Sequence, residues 1–236
     1  MKIVKLMING NLAEIVGVML GDGCIYKEKE GVRKTPRYQS SVSLHKEEME
    51  YALYLKNLLS QYFKGYTFSI WECKKELSLA NTSVFVGSLL KEAGLHHGNK
   101  VKNKVTIPGW ILKNRKYTIR TIRGLFDTDG CVYRKYDNYA QIQFKFGCLE
   151  TTSSIHDAIK LLKYNPTKIQ KEWNDDKKRW RWKFYLSRQG EICTFFREIK
   201  PKNPKHQLRY KKIKNGDAGI RTQISRFLPR SDRPTI

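Results

Sequence analysis

Asp22 and Asp129 stand in matched surroundings. Each is followed by Gly-Cys, then Ile or Val, Tyr, and Lys or Arg, and each closes an apolar stretch: LAEIVGVMLGDGCIY from Leu12 to Tyr26, and IRTIRGLFDTDGCVY from Ile119 to Tyr133. One Asp-Gly is a common turn dipeptide; two at the ends of like stretches point to paired chemistry. Ionised carboxylates only accept hydrogen bonds and are ligands for hard cations. Two brought together repel until a divalent ion such as Mg²⁺ reverses the sign of the interaction.

That chemistry requires the preceding stretches to be helices that meet. Leu12, Ile15, Val16, Met19 and Leu20 recur at three- and four-residue steps and share one face. Ala13, Gly17 and Gly21 form a second, small-residue face; the second stretch keeps Gly124 and Thr128 there but carries Arg120 where Ala13 would match. A mid-helix glycine costs roughly 1 kcal/mol in propensity, so Gly17 predicts close approach of another backbone. Helices ending at Asp-Gly also set both carboxylates near negative dipole ends, which again favours a cation.

These residues resemble the LAGLIDADG homing endonucleases in their single-chain, two-motif form, most of all archaeal intron-encoded members. The cores are IVGVMLGDG, Ile15 to Gly23, and IRGLFDTDG, Ile122 to Gly130; the first has Leu20 where many members have an acid, and the second retains Asp127. The resemblance implies an α+β fold of two pseudo-symmetric αββαββα repeats, with saddle-shaped antiparallel sheets and the motif helices paired at the interface. It implies Asp22 and Asp129 as metal ligands, with main-chain carbonyls of Gly21 and Thr128 beside them, Mg²⁺ as the ion and Mn²⁺ as its substitute. The implied reaction is cleavage of double-stranded DNA at a long site, leaving short 3′ overhangs. Relatives acting as intron RNA maturases or as non-cutting DNA-binding regulators supply the alternatives; loss of a motif acid would favour the regulator, and both acids are present.

Composition agrees with a polyanionic partner. Lys and Arg number 46 against 22 Asp and Glu, a formal charge of +24, and 40% apolar residues suffice for a core. No apolar run approaches the ~18 residues of a membrane span, and the start, Ile3 to Ile8, is too short and too charged for a signal peptide. The five cysteines form no CxxC pair and leave an odd count, which argues against a disulfide framework or zinc site and for a reducing, intracellular setting in cytoplasm or nucleoid. Cys24 and Cys131 read as small buried residues. The expected state is a monomer.

The repeat divides the chain at 1–108 and 109–214, with 215–236 as an extension, because Pro108-Gly109 follows the polar, basic stretch GNKVKNKVT. In the first repeat, a loop with Gly31 and Pro36 precedes a strand over Gln39 to His45. A helix over Lys46 to Tyr62 is predicted to turn Met49, Leu53, Leu55, Leu58 and Leu59 inward. A hairpin over Tyr66 to Ala80 and a helix over Val84 to Ala93 follow. In the second repeat the strand is Tyr139 to Phe146, the helix Ser153 to Tyr164, the hairpin Thr167 to Ser187, and the last repeat helix Gly190 to Ile199. Lys200 to Lys214 reads as a basic run, either a solvated tail or a nucleic-acid contact.

Strand alternation turns Gln, Ser, Lys and Arg toward one wet face per repeat, groups that suit base edges and phosphates. The candidate DNA contacts of the first repeat are Tyr26, Lys27, Arg33, Lys34, Arg37, Gln39, Ser41, Ser43, His45, Thr67, Ser69, Trp71, Lys74, Lys75 and Ser78. Those of the second are Arg134, Lys135, Tyr139, Gln141, Gln143, Lys168, Gln170, Lys177, Lys178, Arg179, Arg181 and Lys183. Lys46 and Lys145, with His45 and Gln143, are candidate auxiliary groups near the strand ends.

Overall fold

Asn9 starts the first helix: its Oδ1 accepts from the Leu12 N–H at 3.0 Å, capping α1, Gly10–Leu20. Asn114 does the same for α5, Arg115–Asp129, accepting from Lys116 and Tyr117. In the computed structural model, residues 6–27 and 38–215 are described. The predicted contacts Arg33, Lys34 and Arg37, the turn residues Gly31 and Pro36, and residues 216–236 lie outside them.

Each motif helix opens an αββαββα unit. The first continues through β1 (Gly23–Lys27), β2 (Tyr38–His45), a 3-10 turn (Lys46–Glu48), α2 (Met49–Tyr62), β3 (Ser69–Cys73), β4 (Glu76–Asn81) and α3 (Val84–Glu92). A short α4, Gly109–Leu112, precedes α5. The second unit then continues through β5 (Gly130–Tyr136), β6 (Tyr139–Phe146), α6 (Leu149–Leu161), β7 (Gln170–Asn174), β8 (Arg179–Leu186) and α7 (Gln189–Ile199). The strands form two antiparallel four-stranded sheets, ordered β1-β2-β4-β3 and β5-β6-β8-β7. Val42, Leu44, Leu77 and Leu79 in one, and Ile142, Phe144, Phe184 and Leu186 in the other, are buried under the helices. The opposite face of each sheet is open.

Three expectations change. In α2 the buried set is Tyr51, Ala52, Leu55, Leu58 and Leu59, whereas Met49 and Leu53 are exposed, because the helix starts only after the 3-10 turn closed by the His45–Glu48 capping box. Helix α6 begins at Leu149, where Thr151 and Thr152 return their hydroxyls to the Val105 and Cys148 carbonyls. The basic run holds an eighth helix, α8, Pro204–Lys214, seated by His206 against Phe126, Tyr210 stacked on Phe196 at 4.0 Å, and buried Ile213.

Helices α1 and α5 run against each other at backbone distance. A Cβ on Gly17 would lie 2.1 Å from the Thr121 carbonyl oxygen, and one on Gly124 would lie 2.5 Å from that of Glu14. Thr121 Oγ1 donates to the Ala13 carbonyl at 2.8 Å. Arg120, the departure from the small-residue face, donates to Gly10 O and Asn11 Oδ1 and reaches Glu14 at 2.8 Å. Glu14 is fully buried and also receives Arg123 at 3.2 Å and the Tyr54 hydroxyl at 2.5 Å. Its charge is thereby matched across the interface.

Candidate active site

The two motif helices end differently. Helix α1 leaves helical geometry at Gly21 (ψ −104°), while α5 stays helical through Asp129 and turns extended at Gly130. At Gly21 a Cβ would meet Thr128 Oγ1 at 2.1 Å and Asp129 Oδ2 at 3.2 Å. The second aspartate therefore lies across the backbone just before the first, and only glycine permits it. Burial, with the charge of Asp129 adding to it, pushes the Asp22 carboxyl up to about 6. Burial also raises Asp129, against the pull of Lys100, Lys205 and Arg181.

Lys100 is the residue that sequence reasoning missed. Its ammonium donates to the carbonyls of Leu20 at 3.1 Å and of Gly21, and it is the leading positive charge acting on both aspartates. A cation already sits against the C-terminus of α1, where the helix dipole is negative. Burial lowers the Lys100 amine, opposed by Asp129 and Asp22. Lys205 is the second such charge; its ammonium pairs with Glu48 at 2.7 Å. Asn203 joins Glu48 to the main-chain carbonyl of Asp127, whose carboxylate accepts from the N–H groups of Lys202 (2.8 Å) and Asn203 (3.1 Å). Burial nonetheless pushes Asp127 up to about 7. The acid that only the second motif retains thus ties α5 to the start of α8.

Among the described residues, no cluster of three or more His, Cys, Asp or Glu could hold a metal ion. The donor set at the aspartates is two carboxylates with carbonyl oxygen beside them, and the ammonium of Lys100 stands in for a cation on that oxygen. Hard, oxygen-binding divalent ions fit it.

The fold is that of the homing endonuclease I-DmoI. A structure of mesophilic I-DmoI variants and one of I-DmoI with DNA and Mn each match at a TM-score of 0.58 and 16% identity, over 80% of this chain and 95% and 96% of theirs. The meganuclease I-SmaMI, bound to uncleavable DNA, matches at a TM-score of 0.56 and 13% identity over 90% of this chain and 96% of its own. No family model and no curated protein matches the sequence.

In this I-DmoI-like fold the open sheet faces flank the aspartates. On the first, Gln39, Ser41, Ser43 and His45 alternate with buried neighbours on β2, joined by Tyr26 on β1, Ser69 and Trp71 on β3, and Ser78 on β4. Trp71 is 66% exposed. Thr67 is exposed just before β3, and Lys74 and Lys75 form the hairpin turn. Lys27 pairs with buried Tyr38, which puts it in register with the helix-covered face instead. Lys46 is exposed on the 3-10 turn; the positive charges acting on the aspartates are Lys100, Lys205 and Arg181. Cys24 is exposed and Cys131 half-buried on the open faces, so neither is the buried filler expected.

On the second sheet Gln143, Lys145, Arg179, Arg181, Lys183 and Gln170 share the open face. Lys145, Arg179, Arg181, Asp129, Gly21 and Lys100 line one cleft of about 220 Å³. Gln141 faces the same way but is buried, its amide held by the Tyr133 hydroxyl (2.5 Å) and Ser187 (2.6 Å). Gln143 donates to the Tyr185 hydroxyl. Arg134 is a correction: at the β-bulge its guanidinium turns to the Lys212 carbonyl near the end of α8. Lys135 and Tyr139 are exposed at the β5–β6 turn, Lys168 precedes β7, and Lys177 and Lys178 form the β7–β8 turn. Among the described residues, no helix is long and apolar enough to cross a membrane.

Proposed function

We propose that this chain is a site-specific double-strand DNA endonuclease, monomeric and intracellular. Its repeats span 1–108 and 109–214, and its cuts leave short 3′ overhangs. The observation that carries the reading is the Asp129 carboxylate lying over the backbone of Gly21, one residue before Asp22. Support comes from the fold shared with I-DmoI and I-SmaMI, solved with target DNA, and with Mn, Ca or Mg in the I-DmoI complexes.

Asp22 and Asp129, with the main-chain oxygens of Gly21 and Thr128, would hold Mg²⁺, or Mn²⁺ in its place. When bound, such ions supply an activated water, charge neutralisation at the phosphate and stabilisation of the leaving oxygen. The chain's own groups prepare that chemistry. Lys100 neutralises the paired carboxylates and covers the Gly21 carbonyl until a stronger cation takes it. Arg179 and Arg181, along the same cleft, suit the scissile phosphates, and the open faces of the two sheets receive the duplex on either side. The ribbons β3–β4 and β7–β8 have the dimensions to lie in a major groove.

The test is cleavage selection on a randomised duplex library with Mg²⁺, repeated with Asp22→Asn and Asp129→Asn. Both variants should bind the selected site and lose double-strand cutting. The reading fails if either cuts both strands at the original rate.

A further inference from the structure

Glu172 contradicts its surroundings. Among the described strand residues on the open face of the second sheet it is the one acid, directly opposite Arg181 and held by Lys145 and, at 2.5 Å, Lys183. The hydrogen bonds from Lys145 and then Lys183 hold its carboxyl down at about 2, so it is ionised and accepts only. A carboxylate meeting DNA is repelled by every phosphate. The groups of a duplex that welcome it are the exocyclic amines at base edges.

We propose that Glu172 is a specificity-determining residue that accepts a hydrogen bond from the N4 amine of one cytosine in the half-site read by the second repeat. This rests on the endonuclease reading above. Glu172 Oε1 accepts from Lys183 and keeps a second lone pair, while Oε2 is buried against Lys145; the Lys145 ammonium keeps two donors, and that of Lys183, which also bonds Tyr185, keeps one. With the carboxylate between the two ammonium groups, the three side chains present donor, acceptor, donor. The complementary base edges are a cytosine amine flanked by guanine O6 and N7 acceptors. Lys145 also lines the cleft that holds Asp129, so the base lies close to the cut. The rival role is purely local: Lys145 and Lys183 sit directly opposite each other, and Glu172 would only relieve their repulsion.

The test is selection of bound duplex from a randomised library, with Ca²⁺ replacing Mg²⁺, for the wild-type protein, Glu172→Gln and Glu172→Ala, each first shown by thermal melting to fold. Wild type should enrich cytosine at one position, by roughly 5- to 150-fold over the other bases. E172Q should move that preference toward adenine, whose N6 and N7 suit an amide, and E172A should erase it while the rest of the site stands. Variants that keep the wild-type site and bind all duplexes more tightly overturn the proposal and leave the endonuclease reading intact. A wild-type protein that enriches no duplex overturns that reading itself.

Discussion

At the scale of residues, the candidate site is a contest between like charges and the cations that reconcile them. The Asp22 carboxyl is raised to about 6 first by burial and then by Asp129, so ionising it costs the folded state. Stability contributed by its neutral form is complete below the ordinary value of 3.8 and lost as pH rises through about 6. A divalent ion competes with that proton. Titration calorimetry should therefore find Mg²⁺ affinity rising between about pH 4 and pH 7 and level above it; constant affinity across that window would refute the assignment of Asp22. Lys100 acts in the same sense, favouring the ionised acids. Thermal melting of Lys100→Met should show a destabilisation relative to wild type that grows from pH 5 to pH 8, to about 2 kcal/mol, and shrinks when Mg²⁺ is added. A deficit independent of pH would mean that Lys100 serves packing alone. The aspartates were legible because a duplicated motif marks them. Lys100 was not: it lies in GNKVKNKVT among like residues, and only the fold of the segment after α3 singles it out.

At the scale of elements, the pairing of α1 with α5 fixes where the aspartates lie, and its tightness comes from two glycines. Gly17→Val would drive a side chain into the Thr121 carbonyl, and a cost of about 3 kcal/mol or more in urea unfolding is expected, with cutting impaired in proportion to the shift of Asp22. Gly190→Ala in α7 meets nothing within 4 Å and should be neutral or stabilising by up to about 1 kcal/mol. Equal losses in both would mean that glycine content, not helix contact, governs stability. This pairing was legible from spacing, as were the two sheets, because alternation sorts each strand's side chains between a covered and an open face. Helix α8 was not, since its hydrophobic contacts are few and its lysines read as solvated. On α2, Leu55, Leu58 and Leu59 were legible as inward, while Tyr51, buried whole, is a weight that leucine counting misses. Gln141 and Arg134 show the same limit: a strand's period assigns a face, while a bulge or a neighbouring hydroxyl decides whether the side chain is free.

At the scale of the whole molecule, the formal charge of +24 is too large to be spent within the fold. Internal pairs take up a minority of the 46 basic residues: Glu14 is shared by Arg120 and Arg123, Glu48 holds Lys205, and Glu172 holds Lys145 and Lys183. The remainder includes exposed Lys74, Lys75, Lys177, Lys178 and Arg179 around the hairpins that border the open faces. A duplex lying along both sheets would meet such groups on either side of the aspartates, and each phosphate neutralised releases condensed counterions. For roughly eight phosphates, log K against log salt should fall with a slope near −7. Measured by fluorescence anisotropy on the selected duplex, the slope should flatten by about 1 in Lys177→Ala without a change of site, because a phosphate contact carries no sequence information. Glu172→Ala should change the site and leave the slope no shallower. A salt response near zero would mean that the duplex does not lie along these sheets, and the arrangement of the two repeats about the aspartates would need another explanation.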